Sequence, residues 1–237
     1  MTSISELLGQ SWQLYKKHFS LLVGYAAWLL LPYAGSILVS LPRPNVFFET
    51  LSFACLLVQG ILAFWLGILI PLLVRELVKN KKSVPIIDLQ NKAWQIIPSV
   101  VFVAILEAAV FLGGLILLIV PAFIFWVWFA LAQFSVIFEN KKGLAAMAWS
   151  RELARGRFWK LTGRLIAGPL VFGILAVFTS GLLIILFTVL SGASFDSLFS
   201  LTPPLWIDVI STVIETFSLP LFLIYFTLLY LDLTKNP

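Results

Sequence analysis

The sequence predicts an all-α membrane protein with six transmembrane helices, laid out as three parallel repeats of an amphipathic surface helix plus a transmembrane hairpin, both termini cytosolic. Three observations predict it. Of the 237 residues, 61% are hydrophobic and 11% charged, against roughly 45 to 50% apolar in a soluble domain. The apolar residues, with a mean hydropathy of +1.04, fall in runs longer than the roughly 18 residues that mark a spanning helix. Lys and Arg gather in every second polar stretch between those runs. A single polytopic domain over residues 1–237 follows, with repeat units at about 3–78, 83–138 and 143–231.

The elements follow in order. Residues 3–19 predict a surface helix: Ser3 and Glu6 have capping-box spacing, and Ile4, Leu7, Leu8, Trp12, Leu14, Tyr15 and Phe19 share one side of a helical wheel. Such a helix lies in the interface with its lysines toward headgroups, or packs on the protein's own cytosolic face. No cleavable signal is expected, because the run after it lacks an A-x-A-like exit. Span 1 covers Phe19 to Leu41 and stops at PRPN, residues 42–45, whose prolines cannot continue a helix. Span 2 covers Leu51 to Val78 and ends in RELVKNKK, residues 75–82.

Pro85 opens a second amphipathic segment, residues 85–97. Residues 99–138 are then forty nearly uncharged positions, twice the roughly 20 that one crossing needs. The break between spans 3 and 4 is expected at Ile119 to Ala122, where Pro121 suits a helix start. The third polar segment, 139–164, holds seven Lys and Arg residues. Span 5 covers Leu165 to Leu190, residues 191–204 read as a loop by their Ser, Gly and Pro content, and span 6 covers Leu205 to Leu231.

Fifteen of the sixteen Lys and Arg residues, all except Arg43, fall on the same side of this plan. The positive-inside rule puts that side, with the N and C termini, in the cytoplasm; the expected location is a plasma (inner) membrane, multi-pass. The repeat rests on three alignable stretches, SWQLYKKHF at 11–19, AWQIIPSVV at 93–101 and SRELARGRF at 150–158. Their common direction is unlike the inverted repeats of many transporters.

Composition also excludes. The net charge of +5 sits beside apolar spans rather than in a separate folded segment, so anionic headgroups of membrane lipids are the expected partners and nucleic acid is not. One cysteine, Cys55, and one histidine, His18, rule out an intrachain disulfide and a multi-histidine metal site. No cofactor is expected, and no Ser-His-Asp arrangement or phosphate-cradling glycine loop points to an enzyme. Gly113-Gly114 is expected to allow close helix packing.

The most specific pattern lies in residues 121–161: Pro121 opening a span, aromatics through Trp128, Glu139 at its cytosolic end, then Ala148, Ser150, Leu153, Gly156 and Trp159. This pattern resembles the membrane domain fused to some glycerophosphodiester phosphodiesterases and that of related uncharacterised multi-span bacterial inner-membrane proteins. The opening SISELLGQSWQLYKKHF is similar to that family's start. Ala122 departs from the pattern, which has glycine after the proline. The resemblance implies six spans and membrane association with lipid metabolism. It does not bring the phosphodiesterase chemistry, which uses a separate soluble barrel for which this chain has no room.

Among single residues, Glu107 and Glu215 stand out as ionisable groups inside apolar spans. At about 1.5 Å per residue they lie roughly 12 Å from the cytosolic boundary and roughly 15 Å from the outer one, which brings both near the midplane of a core about 30 Å thick. They are either a proton or cation relay or neutral carboxyls bonded to backbone, Ser, Thr, Gln59 or Gln133. The repeat register offers Arg164 as another partner for Glu107. Arg151, Arg155 and Arg157 are candidate lipid-headgroup contacts, and Glu139 and Ser150 are read as caps of the connector. These features predict a non-enzymatic accessory or scaffold module working with membrane lipid or with membrane or envelope proteins. The alternative is a small proton-coupled transporter using the two glutamates.

Overall fold

A computed structural model describes residues 2–40, 45–79, 85–200 and 204–235. It is all-helical, and among the described residues six helices are long and apolar enough to cross a membrane: Phe19–Val39, Val46–Val78, Ile86–Leu117, Ile119–Glu139, Phe158–Ser191 and Leu205–Lys235. This is a multi-pass membrane protein. Arg43, Lys81, Lys82 and residues 201–203 of the expected loops lie outside the described residues.

Helix α1 (Ile4–Lys17) begins with one half of the expected capping box, the Glu6 N–H donating to Ser3 Oγ at 3.2 Å, while the Glu6 carboxylate accepts from the Gln10 side chain at 3.4 Å. Its inward line is Leu7, Ser11 and Tyr15, at helical spacing, while Ile4 and Trp12 stay exposed. The Tyr15 hydroxyl donates to the Phe217 carbonyl at 2.8 Å, and burial raises its pKa. Span 1 is built from α2 (Phe19–Ala26), a 3₁₀ turn (Ala27–Leu29) and α3 (Leu30–Ser40). Pro32 supplies no N–H to the turn before it, and that turn tightens.

Helix α4 (Val46–Val78) starts five residues earlier than the hydropathy pattern indicates. Asn45 is the reason: its side chain accepts the Phe48 N–H at 3.0 Å, an N-cap that lets the polar-flanked VFFET stretch enter the helix. Residues 86–97 are helical as expected, yet they run straight into span 3 as one helix, α5 (Ile86–Leu117). Pro98 lies inside α5, which continues through it despite the missing N–H.

Span 3 ends at Leu118, whose extended backbone separates α5 from α6 (Ile119–Phe129) and puts Pro121 in the first turn of α6. Span 4 is itself broken at Ala130–Leu131 and resumes as α7 (Ala132–Glu139). Asn140 closes α7 in the left-handed conformation at φ 53°, and the Lys141 N–H reaches back to the Ser135 carbonyl at 3.3 Å. Helix α8 (Gly143–Ala154) forms the surface connector, α9 (Phe158–Ser191) is span 5, a 3₁₀ turn covers Phe195–Phe199, and α10 (Leu205–Lys235) is span 6.

The chain divides into two compact units, one of 1–14, 64–167 and 223–237, the other of 15–63 and 168–222. The first holds the packed core: of the twelve largest fully buried side chains only Leu22 belongs to the second. Large apolar side chains elsewhere face outward, with Ile116, Leu118, Ile119 and Val120 at the α5–α6 turn each at least 67% exposed. In water such exposure costs about 25 cal/mol per Å². Acyl chains remove that cost, so the outward faces of these helices are lipid-facing.

Candidate functional site: a carboxyl in an aromatic-lined cavity

Glu107 of α5 accepts a hydrogen bond from the Gln133 amide of α7, Nε2 to Oε2 at 2.7 Å. Its other oxygen, Oε1, is buried and has no hydrogen-bond partner among the described residues. Both residues line a cavity of about 370 Å³ in the first unit. Its other walls are aromatic, Phe111, Phe125, Trp126, Phe129 and Phe226, with small alanines between them. Ala108, Phe111 and Trp126 are exposed on their helices and frame its mouth.

The break in span 4 puts Gln133 at the start of α7, two residues past Leu131, and it is held from outside the span. Ser150 of α8, 1% exposed, donates to the Trp128 carbonyl at 2.7 Å and accepts the Leu131 N–H at 3.2 Å. It therefore satisfies backbone groups on both sides of the interruption. Ser135 adds a bond from its hydroxyl to the Ala132 carbonyl at 2.7 Å. The α5 side is set by Gly114, where a Cβ would stand 2.8 Å from the Ala122 Cα. Gly114 thus provides the close approach of the α5–α6 turn, and Gly113 meets nothing within 4 Å. A glycine at 122 is not required, because Ala122 packs, 1% exposed, against Gly114.

Glu215 stands in a different setting. It is exposed, belongs to the second unit, and lines a cavity of about 470 Å³ with Asp208, Tyr33, Ser36, Ser211 and Thr212. Of the partners open to Glu107 in the sequence, the structure selects Gln133 and not Arg164. Arg164 bonds Asp232 instead, Nη1 to Oδ2 at 3.1 Å, with both side chains about a tenth exposed. Asp232 also accepts the Thr2 N–H at 3.1 Å, and Arg164 donates to the Thr2 carbonyl. The Tyr225 hydroxyl bonds the Arg164 carbonyl at 2.6 Å. Sequence reasoning missed this cluster, although a cation just before span 5 and an acid just after the end of span 6 lie near one membrane boundary by simple counting.

The pattern residues divide by role. Gly156, two residues past the end of α8, turns the chain toward α9 at φ 71°, a conformation that favours glycine. Glu139 ends α7 and is exposed, and Pro121 is half-buried. Trp159 is 78% exposed at the start of α9. Arg151 lays its guanidinium 4.5 Å from the centre of the Trp128 ring. Arg155 is exposed and 3.8 Å from Glu152, and Arg157 is half-buried. Compared with protein-family models, curated proteins and solved structures, the chain finds no match in any of the three.

Proposed function

We propose that this chain is a non-enzymatic accessory or scaffold module of a bacterial inner membrane, related to the membrane domain of the glycerophosphodiester phosphodiesterases. It works with membrane lipids that carry anionic headgroups and with a membrane or envelope protein, its N and C termini in the cytoplasm. One observation carries the reading. Arg151, Arg155, Trp159 and Lys160, at the end of α8 and the start of α9, are all exposed. Arg151 and Arg155 are one helical turn apart, a spacing that lets both reach one phosphate. An exposed indole next to a span is an interfacial anchor, and basic side chains at that level attract anionic lipid by about 1 kcal/mol each.

Proton-coupled transport through Glu107 and Glu215 has less support, because the two carboxyls line separate cavities and Glu215 is exposed. Native mass spectrometry on protein extracted with its own lipid tests the proposal. Bound phosphatidylglycerol or cardiolipin is expected, its affinity falling roughly thirtyfold on joint Arg151→Gln and Arg155→Gln substitution, as two headgroup cations are lost. Equal lipid retention by the variant would overturn it.

A further inference from the structure

We infer that the Glu107 cavity is a binding site for a lipophilic ammonium compound, a compact apolar body carrying an N–H donor and one positive charge. This assignment rests on the cavity alone and not on the headgroup contacts at α8.

Glu107 Oε2 is already held by Gln133, whereas Oε1 is buried and has no partner among the described residues. A buried carboxyl oxygen without a donor is costly to leave so. An ammonium N–H would satisfy it and neutralise its charge in one contact. Aromatic faces attract cations through their ring quadrupoles, and five of the cavity's lining side chains are aromatic. The rest of a ligand would meet Ala104, Ala108, Ala130 and Leu165, which offer only apolar surface. At about 370 Å³ the cavity falls within the range of small-molecule sites. Its mouth, at Ala108, Phe111 and Trp126, lies on membrane-spanning helices, so a ligand dissolved in the bilayer can reach it without crossing water. A lipid anion is disfavoured by the carboxyl, and a neutral hydrocarbon would leave Oε1 unpaired.

The probe is 1-adamantylammonium, compared with 1-adamantanol, which has the same shape and no charge. Binding is followed by isothermal titration calorimetry to the full chain in nanodiscs of zwitterionic lipid, with protein-free nanodiscs to subtract partitioning. Zwitterionic lipid removes the headgroup effect, so failure here and failure of the α8 reading are separate results. Expected is one saturable site for the ammonium, weakened about thirtyfold or more by Glu107→Gln, the loss of one partner of a buried charged contact. The alcohol, which keeps an O–H donor but carries no charge, should bind at least about tenfold more weakly than the ammonium, and Glu215→Gln should bind as the unsubstituted chain does. If Glu107→Gln does not fold, Ala108→Trp, which narrows the mouth, decides the matter by weakening the ammonium. Equal binding of ammonium and alcohol, or ammonium affinity unchanged in Glu107→Gln or in Ala108→Trp, would overturn the assignment.

Discussion

Ser150 spends both of its hydrogen-bonding directions on the backbone of another element, accepting from Leu131 and donating to Trp128 across the interruption of span 4. Replacing it by alanine leaves a buried N–H and a buried C=O without that partner, which costs about 1–3 kcal/mol. Ser150→Ala is therefore expected to lower the unfolding free energy measured in mixed micelles by that amount, and an unchanged value would show that relaxed backbone replaces both bonds. The sequence reads Ser150 as a cap of the connector, whereas its hydroxyl bonds the backbone of span 4. The break it serves, Ala130–Leu131, contains neither proline nor glycine and so leaves no local signal. Glu107 is the opposite case, since an acid in an apolar span announces itself, and Gln133 is among its few polar neighbours within reach.

The α5–α6 pair shows where element boundaries are legible. Pro121 marks the start of span 4 because the first turn is where a proline fits a helix at least cost, and the observed break at Leu118 falls within a few residues of it. The continuity of α5 through Pro98 is not legible, because one proline either ends a helix or bends it depending on what packs against it. Asn45 before α4 is a cap that a hydropathy pattern overlooks. Close packing at the α5–α6 turn can be tested by two adjacent substitutions. A side chain at 114 meets backbone at 2.8 Å, and one at 113 meets nothing within 4 Å. Gly114→Val should destabilise by about 1–3 kcal/mol, since backbone must shift to admit it. Gly113→Val should stay within about 0.5 kcal/mol, as for a surface change. Thermal unfolding of both in one detergent reads the difference, and equal shifts would mean that the turn relaxes freely.

At the scale of the molecule, apolar run lengths disclose six spans, because lipid forces every crossing to satisfy its backbone within a helix. What joins the two ends of the chain is not visible in that pattern. Arg164 and Asp232 are separated by 68 positions, and Thr2 and Asp232 by 230, so their meeting depends on how the helices of the first unit pack. The cluster ties the chain's first described residue to α9 and α10 through a nearly buried ion pair. Removing one member strands the other, at about 3–5 kcal/mol, while removing both charges together costs much less. A double-mutant cycle with Arg164→Gln and Asp232→Asn should therefore show a coupling of about 3 kcal/mol or more in unfolding free energy, with the double variant more stable than the sum of the singles implies. Deleting residues 1–3 in the Asp232→Asn background should then cost only the Ser3 cap and the bond from Arg164 to the Thr2 carbonyl. Additive single effects would mean that the two side chains act separately, and that α1, α9 and α10 are held in register by the buried aromatic and aliphatic packing around Tyr225 and Tyr230 alone.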